Sequence, residues 1–173
     1  INRSAGQETK YIGGTKGSHI IIENPTLRAA LGANEFFFEN EDGRIVLIYP
    51  MQDKVLIGTS DIPIEDPDQA VITDQEVQYF INMVKRVFPT VEVSPSQIVF
   101  TFSGVRPLTN SKARFTGQIS RDHQIIIDEP AHEILFPVYS LVGGKWTTYR
   151  AFSEKVSDIV LDRLGLNRNQ STR

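Results

Sequence analysis

The segment "LVGGKWTTYR", residues 141–150, is the part of this chain whose residue types most favour chemistry. Gly143, Gly144 and Lys145 end an apolar run, and a helical pattern follows them. Glycine lets a ligand approach the backbone closely, and the first turn of a helix offers free N–H groups and a partial positive charge. The segment therefore predicts contact with an anion, or with a group that becomes anionic. Taken alone, such a segment is more often an ordinary strand-to-helix turn with a solvent-exposed lysine.

Three further cationic or titratable residues stand at the ends of apolar runs. Arg106 closes the run in "FSGVRPL", Arg121 in "SRDHQIII" precedes one, and His19 in "TKGSHIII" follows a glycine and a serine. Arginine binds phosphate or carboxylate through paired hydrogen bonds, and histidine can donate to a substrate or move a proton. Taken singly, each arginine is more often a surface salt-bridge partner, and such a histidine is more often structural.

The sequence lacks the motifs of several other kinds of site. It has no cysteine, which excludes a disulfide framework, a thiol nucleophile and a cysteine-ligated metal. It contains neither G-x-G-x-x-G nor a Walker A pattern, and His123 and His132 lack the spacing of a zinc enzyme. The acidic stretch "DIPIEDPD" lacks the ligand spacing of a calcium loop. No metal site and no nucleotide-phosphate loop are expected in this segment.

Short β-branched or aromatic runs, separated by turn residues, must position these side chains. Asp42-Gly43 and Gln52-Asp53 lie between neighbouring runs and are typical of hairpin connections. The predicted strands are residues 19–24, 35–40, 44–51 and 54–61, followed by "QIVFTFSGVRPL", "QISRDHQIIIDE" and "ILFPVYSLVGG".

Two helices are predicted among these strands. Thr73 and Glu76 form an S/T-x-x-E capping box before apolar residues at helical spacing, and Pro89 ends that helix. The second helix begins near Thr147 or Thr148 and ends at Gly165. Most of the predicted elements are strands in hairpin order, and two are helices. This pattern predicts an α+β fold, built on a mostly antiparallel sheet with flanking helices.

The composition is that of a folded globular protein. The chain has 173 residues, of which 40% are hydrophobic and 23% charged. A formal net charge of −3 argues against a nucleic-acid partner, because binding to phosphate backbones normally needs a basic surplus. No apolar run approaches the roughly 20 residues needed to cross a bilayer. Since the sequence begins at Ile1 without methionine, we expect it to be a piece of a longer protein.

Taken in order, six motifs resemble the FAD-dependent glycerol-3-phosphate dehydrogenases and the related glycerol-3-phosphate oxidases. The resemblance runs from about Tyr11 to Leu164, and Ser60, where many relatives have threonine, is a mild departure. It implies an amine-oxidase-like flavoprotein, of which residues 1–173 are a single substrate-binding domain. Residues 141–165 would be a flavin-contacting turn and helix that return toward a separate FAD-binding domain. The motifs are "TKGSHI", "DGRIVLIYP", "VLIGTSD", "FSGVRPL", "SRDHQI" and "GGKWTTYR".

The resemblance also implies roles for the residues singled out above. Arg106 and Arg121 correspond to the arginines that hold the substrate phosphate. His19 and Lys145 correspond to residues near the substrate hydroxyls, and one of them takes the C2 hydroxyl proton as hydride leaves C2. Which of the two is the base stays open. The residues implied to contact the pyrimidine end of the flavin, where negative charge develops on reduction, are Gly143, Gly144, Lys145, Trp146 and Thr147.

The expected function is oxidation of sn-glycerol 3-phosphate to dihydroxyacetone phosphate, with FAD as cofactor and quinone as electron acceptor. The resemblance implies a cytoplasmic protein in peripheral contact with the inner face of the cell membrane. Exposure of the surface that an FAD domain would cover further suggests self-association into a homo-oligomer. The alternatives are an oxidase that uses oxygen, a folded but inactive relative, and a stand-alone phosphate-binding module without redox activity.

Overall fold

The computed structural model describes residues 2, 4, 6–109, 122–131 and 134–172, which divide into two compact units. Residues 14–106 form the first, which we call the sheet unit. The described residues before 14 and after 106 form the second, which we call the terminal unit. The predicted single substrate-binding domain over residues 1–173 stays a prediction.

An antiparallel sheet built around one central strand dominates the sheet unit. Strand β1 pairs with β6 along one edge, and with β4 and then β5 along the other. Strands β3 and β2 extend the sheet beyond β4. All of these pairings are antiparallel, which confirms the fold class predicted from the sequence. The elements are β1 (Thr15–Ile22), α1 (Pro25–Leu31), β2 (Phe36–Glu39), β3 (Ile45–Met51), β4 (Lys54–Gly58), β5 (Ile62–Pro63), α2 (Asp74–Val87) and β6 (Ile98–Arg106).

Local signals account for the turns and for helix α2. The β2–β3 and β3–β4 turns contain Gly43 and Gln52, whose positive φ angles of 76° and 57° tighten the hairpins predicted there. Thr73 caps α2: its hydroxyl accepts from the N–H of Glu76, and the Glu76 carboxylate accepts from the N–H of Thr73. The predicted capping box is therefore confirmed.

Helix α1 is an element that the sequence analysis did not predict. The first strand was expected to continue to Asn24, but β1 ends at Ile22. The side chain of Asn24 accepts a hydrogen bond from the N–H of Leu27 at 2.9 Å, and Pro25 supplies the first helical residue. Asparagine at the N-cap and proline at the next position both favour a helix start, so these residues turn the chain out of the sheet.

The hydrophobic core lies on one face of the sheet, where α1 and α2 contribute to it. Alternate residues of the strands point to this face, and the residues between them point to the other. The second face carries His19 and Phe102, which are directly opposite each other on β1 and β6. The buried core residues are Ile20, Ile22, Leu27, Leu31, Val46, Ile48, Val55, Ile57, Phe80, Met83, Val84 and Val91.

The terminal unit combines a two-stranded ladder with the longest helix among the described residues. Strands β7 (Gln124–Asp128) and β8 (Val138–Val142) are antiparallel. A 3₁₀ turn at Trp146–Thr148 leads into α3 (Tyr149–Arg163), and Gly165 follows with a φ of 69°. The start and end of this helix therefore agree with the prediction to within two residues. Within the described part of the chain, no helix combines the length and apolar character needed to cross a bilayer.

Candidate functional site

Two of the predicted site residues, His19 and Arg106, lie on the same face of the sheet unit. In the β1–β6 register Thr15 is opposite Arg106, and His19 is opposite Phe102. Residues directly opposite each other in an antiparallel pair share a face, and so do residues two or four apart on one strand. The side chains of His19 and Arg106 therefore project from one side of the sheet. The positive charge of Arg106 is near enough to influence the titration of His19.

The guanidinium of Arg106 is held by the loop that follows β4. Nη2 donates to Oγ1 of Thr59 at 2.9 Å, while Nη1 donates to the carbonyl oxygen of Ser60 at 3.3 Å and to Oδ1 of Asp61 at 3.2 Å. The side chain of Arg106 remains 29% exposed. Arginine has five N–H donors, so these contacts leave donors for an anion. Arg106 is thus oriented by the protein and still accessible.

The imidazole of His19 lies between a glycine and an aromatic ring. It stacks on Phe102 with ring centroids 4.7 Å apart and an angle of 7° between the planes. It also covers Gly58, where a Cβ atom would lie only 2.8 Å from Cγ of His19. Burial, and secondarily the charge of Arg106, lower the pKa of His19 below its ordinary value of 6.5. His19 is therefore a neutral imidazole at neutral pH and can accept a proton.

One nitrogen of this imidazole has no partner. Nδ1 of His19 is buried and makes no hydrogen bond with any described residue. A buried polar atom without a partner carries a desolvation cost, and such atoms concentrate where a ligand or water completes the site. Among the described residues, His19 is therefore held by its packing against Gly58 and Phe102 and not by a hydrogen bond at Nδ1.

The glycine turn belongs to the terminal unit. Gly143 and Gly144 have φ angles of 74° and 92°, and a Cβ at residue 143 would lie 2.7 Å from the carbonyl oxygen of Asp122. Residue 143 must therefore be glycine for two independent reasons. The side chain of Lys145 is exposed, and among the described residues it forms no ion pair.

The helix start after this turn leaves donors available. The N–H of Lys145 donates to Oγ1 of Thr148 at 3.0 Å, so Thr148 caps the turn. The N–H groups of Trp146 and Thr147 belong to the first turn and have no acceptor within the helix. Trp146 is 90% exposed. An exposed ammonium group beside free N–H donors suits a ligand edge that carries or gains negative charge.

Arg121, the second predicted phosphate-binding arginine, lies outside the described residues. That Arg121 and Arg106 together hold the substrate phosphate stays a prediction.

The residues that shape the Arg106 and His19 environments were not predicted from the sequence. Thr59 and Asp61 hold the guanidinium, and Gly17 and Gly58 make room for the two side chains. A glycine inside a strand pattern is a signal of close approach by another group, and Gly58 lies inside the predicted strand 54–61, whereas Gly17 precedes the predicted strand 19–24. Thr59 and Asp61 belong to the motif "VLIGTSD", but no local pattern in it marks them as partners of an arginine.

Comparison with known proteins places these features in a family. The family model described as DAO, FAD dependent oxidoreductase, matches residues 2–148. A glycerol-3-phosphate dehydrogenase of Synechocystis is 38% identical over 160 residues, which cover 91% of this chain and 28% of that protein. A D-erythritol 1-phosphate dehydrogenase of Brucella abortus is 33% identical, covering 89% of this chain and 30% of its own length.

A solved structure shares the fold. The glycerol-3-phosphate dehydrogenase of Bacillus halodurans, complexed with FAD, superposes with a TM-score of 0.72 and 23% identity. The match covers 94% of this chain and 29% of that one. The chain thus spans under a third of each of these relatives. Because the family model matches most of its residues, this chain belongs to the FAD-dependent oxidoreductase family.

Proposed function

We propose that this chain supplies the substrate-binding part of a longer enzyme that oxidises sn-glycerol 3-phosphate to dihydroxyacetone phosphate with FAD. The observation that carries the proposal is the arrangement in the sheet unit. A partly exposed, pre-oriented guanidinium, that of Arg106, lies near a neutral imidazole, that of His19. A phosphate group and a hydroxyl to be deprotonated are the two features that this pair would recognise. Relatives named glycerol-3-phosphate dehydrogenase support the same substrate.

The two residues would divide the work on the substrate. Arg106 binds the phosphate and fixes the position of the three-carbon chain. His19 accepts the proton of the C2 hydroxyl on its neutral imidazole, while the C2 hydrogen departs as hydride and the C–O bond becomes a carbonyl. Electrons and protons balance, because the two electrons leave with the hydride and the proton stays on the imidazole. We therefore assign the base to His19 rather than to Lys145.

The glycine turn of the terminal unit fits the edge of a flavin ring. FAD supplies the two-electron acceptor when bound, and negative charge then develops at the pyrimidine end of its ring. The N–H groups of Trp146 and Thr147 lack helical acceptors, and the Lys145 ammonium group is exposed beside them. These groups, together with the close backbone approach allowed by Gly143 and Gly144, would stabilise that charge.

The electron acceptor, location and assembly of the longer protein complete the proposal. We assign quinone as acceptor, with peripheral contact at the inner face of the cell membrane, a cytoplasmic location and self-association into a homo-oligomer. The rival acceptor is oxygen. Oxygen consumption and hydrogen peroxide release, measured against reduction of a soluble quinone, separate the two.

The test is a steady-state assay of the longer protein with glycerol 3-phosphate, glycerol and D-erythritol 1-phosphate. We expect turnover with glycerol 3-phosphate and weak or no turnover with glycerol, which lacks the phosphate. Preference for D-erythritol 1-phosphate, the substrate in the name of the Brucella relative, would redirect the proposal to another polyol phosphate. No oxidation of any phosphorylated polyol, with FAD bound, would contradict it.

Two substitutions test the assigned roles. Arg106→Ala should mainly raise KM, by roughly 30-fold, because a charge-assisted contact of about 2 kcal/mol is lost. Lys145→Ala should mainly lower kcat and the flavin potential, because it acts on the group that gains charge. Arg86→Ala, which removes an exposed arginine paired with Glu41, is the control. Equal changes in KM and kcat for both test variants would contradict the division of roles.

A further inference from the structure

A buried ion pair lies beneath the site, on the helix-covered side of the sheet. Nζ of Lys16 donates to Oε2 of Glu76 at 2.7 Å, and the two side chains are only 7% and 3% exposed. Nζ also donates to the carbonyl oxygen of Val71 at 2.5 Å. Taking two charges out of water is costly unless their remaining donors and acceptors are also satisfied. The second carboxylate oxygen of Glu76 therefore needs its own donor.

Ser60 supplies that donor. Its hydroxyl donates to Oε1 of Glu76 at 2.6 Å and accepts from the backbone N–H of Ser18 at 2.9 Å. Ser60 itself is 1% exposed, so water does not compete for these bonds. The hydroxyl thus fastens the loop after β4 both to the central strand and to helix α2.

The same loop holds Arg106. Thr59, Ser60 and Asp61 are consecutive, and each contributes one acceptor to the guanidinium: a hydroxyl, a carbonyl and a carboxylate. The side-chain hydroxyl of Ser60 is fastened to the protein interior, while its carbonyl oxygen accepts from the site arginine. A shift of residue 60 would therefore move all three acceptors together.

We propose that Ser60, fastened by Glu76 and Lys16, is a positioning residue that fixes the Arg106 guanidinium for binding the substrate phosphate. The proposal rests on the proposed function, because it takes Arg106 as the phosphate-binding group. Ser60 touches no substrate in this scheme and acts only through the loop. Small displacements of a binding group weaken recognition strongly, so the affinity for phosphate should depend on the buried hydroxyl.

The test is calorimetric titration of the longer protein with inorganic phosphate, which needs no turnover. Ser60→Ala should weaken phosphate binding on the order of 10-fold. Ser60→Thr keeps the hydroxyl and should bind within about twofold of wild type, and Ser60→Cys, a weaker hydrogen-bonding group of similar size, should fall between. Asn24→Ala, which removes a buried cap of α1, controls for a general loss of stability.

The outcomes separate positioning from a merely structural role. The proposal is supported if Ser60→Ala loses affinity for phosphate while Ser60→Thr and Asn24→Ala keep the affinity of wild type. The proposal would be overturned if Ser60→Ala and Ser60→Cys bound phosphate with the affinity of wild type, or if Asn24→Ala lost as much affinity as Ser60→Ala. It would also be overturned if the wild-type protein did not bind phosphate. Oxidation of glycerol 3-phosphate by the wild-type protein is measured separately, so failure of the proposed function is recognised independently.

Discussion

The guanidinium of Arg106 occupies the space in which a side chain at residue 17 would begin. A Cβ atom on Gly17 would lie 2.6 Å from Cζ of Arg106, closer than non-bonded carbon atoms approach. Gly104, directly opposite Gly17 on β6, has open space at the same position. Two neighbouring glycines in one sheet therefore differ in what they permit: one makes room for the site arginine, and the other does not.

Gly17→Ala is expected to displace the Arg106 guanidinium and to weaken phosphate binding by roughly 10-fold, because the new methyl group and the guanidinium exclude each other. Gly104→Ala adds the same methyl group on the opposite strand without meeting any atom and should leave affinity unchanged. Titration of the longer protein with inorganic phosphate measures both. Equal affinity in the two variants would show that the guanidinium relocates without cost.

His19 should remain neutral to a lower pH than an ordinary histidine. Burial, with a smaller contribution from the charge of Arg106, lowers its pKa below 6.5. The imidazole therefore becomes protonated only when the pH falls through this lowered pKa. The ring signals of His19 in NMR spectra, identified by their loss in His19→Gln, report this directly. These signals are recorded without substrate. A pH profile of activity would also contain the titration of the substrate phosphate, which occurs near pH 6.

Phe102→Ala provides the control for this titration. It uncovers one face of the imidazole, which stacks on Phe102 at 4.7 Å, and should raise the pKa of His19 toward 6.5. A wild-type pKa at or above 6.5 would contradict the assignment of His19 as a neutral base.

Asp61 should oppose anion binding at Arg106. Its carboxylate accepts from Nη1 at 3.2 Å, so an incoming phosphate competes with a charge already in place. Asp61→Asn keeps an oxygen acceptor and removes the charge, and phosphate affinity should rise by roughly fivefold, which corresponds to about 1 kcal/mol for a partly exposed pair. Asp53→Asn, at an exposed pair with Lys54, is the control. Weaker binding in Asp61→Asn would show that the charge is needed to orient the guanidinium.

The Lys16–Glu76 pair should make the sheet unit sensitive to acid. Burial alone would raise the pKa of Glu76, but hydrogen bonds from Lys16, Ser60 and Ser18 outweigh it and lower the pKa to about 2. The charged carboxylate stabilises the fold above its ordinary pKa of 4.5. That stabilisation is lost as the pH falls from 4.5 toward 2.

Glu76→Gln tests this contribution. At neutral pH it should lower the free energy of unfolding by roughly 3 kcal/mol or more, because Lys16 stays buried without a counter-charge. Between pH 4.5 and pH 2 the variant should lose less stability than wild type. Urea unfolding at pH 7 and pH 3 measures both effects, and Lys16→Met combined with Glu76→Gln should recover part of the loss. The same acid dependence in wild type and Glu76→Gln would contradict the assignment.

Features set by neighbouring residues could be predicted from the sequence. The Thr73–Glu76 capping box, the hairpin turn at Gly43 and the end of α3 at Gly165 each depend on contacts within a few residues, and each lies where it was predicted. Helix α1 is the exception. The Asn24 cap that starts it was interpreted as the end of a strand, because the apolar run before it is continuous.

The amino-acid sequence was enough to predict the antiparallel α+β fold, the FAD-dependent oxidoreductase family, and His19, Arg106 and the glycine turn as candidate site residues. The residues that surround these candidates became known from the folded chain. Glu76 was recognisable as a cap, but its ion pair with Lys16 joins residues 60 positions apart. Strand register places the Arg106 guanidinium over Gly17 and His19 over Gly58, and local propensity carries no information about register. Contacts across a sheet depend on which strands pair and in what alignment, and the folded chain alone determines that.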